Sequence, residues 1–490
     1  MGYVVSIDQS TSATKGILFN LKGEKISEVS YPHAQYYPKP GWVEHDPEEI
    51  YMNVLRVISS LLKTCHLEEQ DVLGICITNQ RETIVVWDKR SGKPVYNAIV
   101  WQCLRGAELC EEYRKLGYEG IVRERTGLLL DPYFSASKLK WIMENVKPPE
   151  GKTLAGTMDS WLIWKLTRGA AHATDPSNAS RTMLLNIKTL SWDDELLRVF
   201  GIPASMMPNV MPCNGIFGYT DCDGLLKREV PISGVMGDSQ AALFGEGCFE
   251  KGMTKVTYGT GSSIAMNIGG EYLPPPNGIV TSVGWAVNNE VSYIYEGNVH
   301  ATGATLKWLL ENLEILETTD EIEKMCLALN NNEGVYFVPA LSGLGAPYWK
   351  ADARGMIYGL TFKTRKEHIV RAAVEAIAYQ IRDVLEVLMK HAGVKIGEMR
   401  ADGGATRNSF LMQFQADILG IPVLRARIEE ISALGSFLMG GLGFGIWKNL
   451  EEVRSIIKEK EPDVFMPKMR LEEREKLYKE WKEIVQRILI

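Results

Sequence analysis

Two aspartates stand where an apolar run meets a turn of small polar residues. Asp8 ends YVVSID and precedes QSTSATKG; Asp238 lies inside GVMGDSQAALFGEG (234–247). A carboxylate in such a place has two chemical uses. It is a hard oxygen ligand for a phosphate-bound Mg²⁺, or it takes the proton from a hydroxyl nucleophile. Asp238 has an equally good structural use, as the cap of a helix beginning at SQAALF. Three turns rich in Gly, Ser and Thr accompany these acids: DQSTSATKG (8–16), YGTGSS (258–263) and DGGATRN (402–408). Consecutive backbone N–H groups in such turns form anion-binding concavities, and glycine lets the chain approach a phosphate closely. Each turn alone reads as an ordinary hairpin. Three in one chain, two of them opening on an acid, point to phosphate. There is no G-x-x-x-x-G-K-[ST], which excludes a P-loop NTPase, and no G-x-G-x-x-G between a strand and a helix.

The elements that must position these groups follow from periodicity. YVVSID, the polar turn QSTSATK and GILFN predict strand, turn, strand. DPEEIYMNVLRVISSLLKTC predicts a helix capped by Asp46, with Pro47 at its first position and Val54, Leu55, Ile58, Leu61 and Leu62 on its apolar face. VLGICIT is a buried strand. MTKVTYGTGSSIAMNIG repeats the opening theme, and ATGATLKWLLENL is helical. Thr364 to Glu367 has the form of a capping box. The helix it starts carries Val370, Val374, Ile377, Ile381, Val384, Leu385 and Leu388 on one face and can end at Gly393. The pattern predicts an α/β protein. It has two similar domains facing a cleft, residues 1–246 and 247–490, because strand, polar turn and strand recur in each half.

The totals bound the function. The chain has 490 residues, too many for one ordinary domain, with 45% hydrophobic and 23% charged residues and a net charge of −7. Neither nucleic acid nor a membrane is an expected partner, since basic runs are short and no apolar run reaches the ~18 residues of a span. The eight cysteines form no C-x-x-C pair, so neither a zinc site nor a disulfide framework is indicated, and reduced thiols in the cytoplasm are expected. MGYVVS fits the N-myristoylation pattern formally, but Gly2 leads straight into an apolar strand.

Longer stretches add a resemblance. DQSTSATKG, ITNQRETIVVW, NAIVWQC, TDPSNASRTMLLNI, GDSQAALFG, YGTG, LGAPYW and DGGATRNSFLMQFQADILG occur in the order found in the FGGY carbohydrate kinase family, from residue 5 to about residue 450. YFSASKLKWIMEN and GMIYGLTFKTRKEHIVRAAVE resemble its two signatures. The resemblance implies two actin-like, ribonuclease-H-like domains around a central cleft, with ATP and Mg²⁺ as cofactors. The implied reaction is phosphoryl transfer to a hydroxyl of a small polyol or sugar. Asp238 would be the general base, and Asp8 with Asp238 would hold the metal. Arg81, Glu82, Trp101, Tyr133 and Asp238 would bind the polyol. Thr11, Ser12, Thr260, Gly261, Gly303, Lys307, Gly404 and Asn408 would line the nucleotide. A homo-oligomer stays open.

Three positions depart from the glycerol-phosphorylating members, which usually have Gln at Ser239, Phe at Ser263 and Gln at Lys307. Ser239 and Ser263 would enlarge the acceptor pocket and leave hydroxyls in it. Glycerol is the first expectation for the acceptor, because Arg81, Glu82, Trp101 and Tyr133 are kept. A C4–C5 polyol or ketose is the second. A non-catalytic, actin-like nucleotide-binding protein is the third, and Asp238, Asp8 and Thr260 speak against it.

Overall fold

The computed structural model describes residues 2–67, 69–149, 151–350, 352–428, 430–458 and 461–489. In the N-terminal half, β1 (Tyr3–Gln9), β2 (Ala13–Asn20), β3 (Lys25–Pro32), β4 (Val72–Asn79), β5 (Gly218–Thr220) and β6 (Val230–Gly237) form one sheet in the order β5-β6-β4-β1-β2-β3. β1, β4 and β6 are parallel, and β2 returns antiparallel to β1. Val4, Val5, Ile7, Ile75, Ile77, Ile232 and Val235 are fully buried, as expected of parallel strands covered on both faces. Gln9 and Gly237 are both in register with Asn79, so three carboxyl ends lie side by side. Ligands of open α/β sheets bind beyond such ends. Asp8, Arg81 and Asp238 all emerge there.

The C-terminal half repeats the plan. β7 (Thr254–Tyr258), β8 (Ser262–Gly269), β9 (Val280–Val287), β10 (Glu290–Val299), β11 (Met399–Asp402), β12 (Val423–Arg425) and β13 (Asp463–Phe465) follow the order β9-β10-β8-β7-β11-β12-β13. β7, β11 and β12 are parallel, and β8 returns antiparallel to β7. The order β10-β8-β7-β11-β12 thus mirrors β3-β2-β1-β4-β6, the ribonuclease-H-like arrangement expected twice over. A small separate sheet, of which Ile84–Asp88 is the centre, carries the loops around Arg81 and Trp101.

Two helices join the halves. Asp238–Gly245 leaves β6, and Ile431–Gly443 packs along it and against β1, β4 and β6, although it belongs to the second half of the chain. Ser6 Oγ donates to the Ala433 carbonyl (3.0 Å) and Ser436 Oγ to that of Gly234 (2.7 Å). The two helices touch at glycine, since a Cβ on Gly435 would lie 1.8 Å from the Ala241 carbonyl oxygen.

Local signals were followed with two corrections. Asp46 caps Pro47–Thr64 by accepting from Glu48 N, and Val54, Ile58 and Leu61 are buried, as predicted. The first polar turn is shorter than its composition implied, because β2 already starts at Ala13 and includes Lys15. The helix Lys366–Ala392 ends at Gly393 (φ 64°) with its predicted apolar face buried. Its start is not the Thr364–Glu367 box. Thr364 Oγ1 instead closes the preceding turn by accepting from Thr361 N (2.8 Å), and His368 Nδ1 accepts from Arg365 N (3.0 Å).

The Gly435 contact generates a test. Gly435→Ala drives a methyl group into a backbone carbonyl, and overpacking of this kind costs about 1–3 kcal/mol or more. The urea midpoint should fall accordingly, and an unchanged midpoint would show that the helices are not in this contact.

Candidate functional site

β6 ends at Gly237, and Asp238 is the first residue of the helix that follows. Gly237, not Asp238, occupies the N-cap position, so the cap reading of Asp238 does not hold. The Asp238 carboxylate accepts from Ser239 N (2.7 Å), and its Oδ1 lies 3.4 Å from Arg81 Nε. Its side chain is 40% exposed, against 6% for Arg81, so it stands at the rim of a buried charge set. The small residue before it is required. A Cβ on Gly237 would meet Arg81 Cγ and Cδ at 2.8 Å, and Gly237 N is fixed by donating to Ser177 Oγ (2.9 Å).

Behind Asp238 two arginines and two glutamates share one buried space. Arg81 Nη1 reaches Glu296 Oε1 at 2.5 Å and Gln240 Oε1 at 3.1 Å. Arg181 Nε donates to Glu82 Oε1 at 2.6 Å; its Nη1 donates to Ser282 Oγ at 2.8 Å and pairs with Glu296 Oε2. Arg81 Nε is 3.9 Å from Glu82 Oε1. Burial pushes the Glu82 carboxyl upward, with Arg181 and Arg81 pulling against it. Burial acts on Glu296 too, but two close guanidiniums override it and hold its carboxyl below the usual range. Glu82 adopts a left-handed backbone (φ 60°), a conformation costly for a side-chain-bearing residue and common where a site over-determines the chain.

The aromatic members stand beside this set. The rings of Trp101 and Tyr133 meet edge to face at 5.3 Å, and Trp101 Nε1 donates to Thr11 Oγ1 (3.0 Å), tying this aromatic pair to the first polar turn. Lys138, fully buried, holds the Tyr133 loop by donating to the carbonyls of Pro132 (2.5 Å), Tyr133 (2.6 Å) and Phe134 (3.1 Å). Burial lowers its ammonium to about 8. Ser239 is half-buried next to Asp238. Ser263 lies on β8, and its hydroxyl is buried without a hydrogen-bond partner among the described residues.

Asp8 faces a negative field. Burial, then Asp238 and Glu430, raise its carboxyl to about 7, and Lys15 opposes them while pairing with Glu430 at 2.8 Å. Such a group fits a divalent cation, which would relieve the repulsion with hard oxygen ligands. Among the described residues no set of three His, Cys, Asp or Glu side chains could hold a metal ion by itself. A Mg²⁺ here would therefore draw on phosphate and water. Ser12 is exposed at the same turn.

In the C-terminal half a pocket of about 520 Å³ lies at the carboxyl end of β7, lined among others by Gly259, Thr260, Gly303, Lys307, Trp308 and Gly404. The YGTG turn is docked onto the helix Gly303–Glu311, with Gly303 N donating to the Gly259 carbonyl (2.9 Å) and Ala304 N to that of Thr260 (3.0 Å). A Cβ on Gly303 would lie 2.7 Å from the Gly259 oxygen. Gly261 lies beneath the turn, where a Cβ would meet the Val299 oxygen at 2.4 Å. Lys307 lines the pocket and pairs loosely with Glu311 (3.6 Å). Asn408, expected at the nucleotide, has its side-chain oxygen engaged as the cap of Ser409–Leu419, accepting from Leu411 N (2.9 Å).

Residues 3–245 match the N-terminal domain of the FGGY family of carbohydrate kinases, and residues 254–444 match its C-terminal domain. The chain belongs to the FGGY family of carbohydrate kinases. It is 53% identical over 492 residues, 99% of each chain, to glycerol kinase 1 of Thermotoga maritima. It is 49% identical to the glycerol kinase of Pseudothermotoga lettingae, over 99% of this chain and 98% of that one. The crystal structure of Plasmodium falciparum glycerol kinase with ADP matches with a TM-score of 0.95 at 36% identity, over 100% of this chain and 99% of that one.

Sequence reasoning missed Arg181, Gln240, Glu296, Lys138 and Trp308. Arg181 and Lys138 lie inside stretches that carry the FGGY resemblance, TDPSNASRTMLLNI and YFSASKLKWI, but nothing local assigns them a task. Glu296 gives no local signal, because its arginines are 215 and 115 residues away along the chain.

The pH dependence of Asp8 is testable. Its carboxyl titrates near 7 folded against 3.8 as the ordinary value, so its charge costs nothing at low pH and most above 7. Asp8→Asn should raise the Tm of the metal-free protein more at about pH 8 than at about pH 5, by roughly 2–4 °C per kcal/mol relieved. An equal change at both pH values would contradict the repelled state of the Asp8 carboxylate.

Proposed function

We propose that the protein transfers the γ-phosphoryl group of ATP to a primary hydroxyl of glycerol. The observation that carries this is the Asp238 carboxylate, half-exposed beside a buried Arg81/Glu82 pair, in a chain whose second half holds a glycine- and threonine-lined pocket. Relatives named glycerol kinase at 49–53% identity, one solved relative carrying ADP, support the same reading.

In this account residues 1–246 supply the acceptor side and the first phosphate turn, and residues 247–490 supply the nucleotide side. Trp308 and Gly404 would take the base of ATP, and Thr260 with the Thr11–Ser12 turn would take its phosphates. Asp8 and Asp238 would hold a Mg²⁺, whose chemistry when bound would be to neutralise charge on the transferring group. Arg81 and Glu82 satisfy two acceptor hydroxyls, one by donating and one by accepting, and Tyr133 and Trp101 give the carbons an apolar wall. Asp238 then accepts the proton of the attacking hydroxyl as its oxygen approaches phosphorus in line. Because the carboxylate is rigidly mounted at a strand end, positioning supplies much of the rate.

A longer acceptor, a C4–C5 polyol or ketose, is the second reading. The buried hydroxyl of Ser263, without a partner among the described residues, favours it, since one more CHOH unit would give that group a partner.

A coupled ADP-release assay with glycerol, erythritol and a pentulose tests both. The proposal predicts the highest kcat/KM with glycerol. A higher value with a longer acceptor transfers the assignment to it, and no release with any contradicts catalysis. In the same assay Asp238→Asn should lower kcat by about 10²–10⁴-fold while ADP still binds. A variant keeping a third of the wild-type rate would remove Asp238 from the mechanism.

A further inference from the structure

Glu296 lies on β10, in the C-terminal sheet, yet both of its carboxylate oxygens are engaged by arginines of the N-terminal half. Oε1 takes Arg81 and Oε2 takes Arg181. Arg181 in turn reaches Glu82, so that one chain of contacts runs Arg81–Glu296–Arg181–Glu82 and returns to Arg81 at 3.9 Å. All four side chains are at least nine-tenths buried. Ser282, on β9 of the same sheet, adds a second anchor to Arg181 at 2.8 Å. Neither Glu296 nor Arg181 belongs to the acceptor-binding set named above.

The contacts leave Arg81 little choice of pose. Its Nη1 is divided between Glu296 and Gln240, and its Nε faces Asp238 and Glu82. Nη2 is the guanidinium donor not engaged by these partners. A guanidinium is a planar fork, so fixing two of its nitrogens fixes the direction of the third. Glu82 is held in the same way, since Arg181 grips the carboxylate of a residue whose backbone is already left-handed.

We infer that Glu296, acting with Arg181, is a positioning residue of the second domain that aims Arg81 and Glu82 at the acceptor. The acceptor site is therefore completed by a carboxylate from the domain that carries the nucleotide pocket. Without that carboxylate two like-charged guanidiniums are left facing each other, and Arg81 turns toward the nearer of its two remaining anions, Asp238, rather than Glu82. Acceptor binding then suffers while the nucleotide pocket, built from other residues of β7 and the Gly303–Glu311 helix, does not.

The inference rests on the acceptor assignment made above, and the test separates the two. Wild-type ADP release with glycerol, erythritol and a pentulose comes first; no release with any overturns that assignment and this inference with it. With an active wild type, Glu296→Gln should raise KM for the acceptor at least tenfold. KM for ATP and the Kd for ADP should stay within about twofold. Arg181→Lys keeps a charge but cannot hold two carboxylates at once, and it should show the same split; it takes the place of Glu296→Gln should that variant fail to fold. Glu386→Gln, which removes a carboxylate salt-bridged to Arg382 and Lys482 at the surface, serves as a control and should change none of these values. An acceptor KM within twofold of wild type, or acceptor and ATP constants rising together as the Tm falls, would overturn the positioning role.

Discussion

The guanidinium of Arg81 is the point on which the site depends. It lies between a carboxylate at the rim, Asp238, and a carboxylate in the interior, Glu296, and it reaches both only because Gly237 leaves its stem room to pass. Burial would penalise that charge, but Glu296 and Glu82 more than compensate and keep the guanidinium firmly protonated. A buried charge without partners would be forbidding, whereas a balanced set is tolerable and fixes geometry. Asp238 thereby gains a fixed cationic neighbour and keeps an exposed edge.

The two sheets explain why such a set can form at all. Each brings the carboxyl ends of parallel strands to one edge, and each ends its first strand at a polar turn before a hairpin return. One such edge carries the acidic groups Asp8 and Asp238, and the other carries the backbone turns at Gly259–Thr260 and Gly403–Gly404. The close contact of Gly435 with Ala241 lets the two linking helices pack along each other, so the edges share one scaffold. The Trp101–Thr11 hydrogen bond joins the Trp101–Tyr133 pair to the first polar turn within the first half.

How much of this was legible followed the range of the interactions. Strands, turns, the Asp46 cap and the repeated plan were readable because apolar periodicity and turn residues act over a few positions. The capping box failed by a single competing hydrogen bond, Thr364 to Thr361, which no short pattern ranks against a helix start. Asp238 was ambiguous by itself, since a carboxylate after glycine serves a helix as readily as a reaction; the N-cap position of Gly237 and the Arg81 contact separate the two. Asn408 shows the reverse, with a residue assigned by resemblance to the nucleotide whose oxygen caps a helix. Arg181 and Glu296 could not be found locally, because their meaning lies in a contact between the two sheets.

The account holds that the phosphoryl group passes once, from a nucleotide at one strand edge to a hydroxyl held beside Asp238 at the other, with no phosphorylated side chain between. Reaction of glycerol with ATP made chiral at the γ-phosphorus by oxygen isotopes tests this most directly. A single in-line displacement predicts inversion at phosphorus in the glycerol phosphate. Retention would require two displacements through a phosphoenzyme, and would contradict Asp238 as the base of a direct transfer.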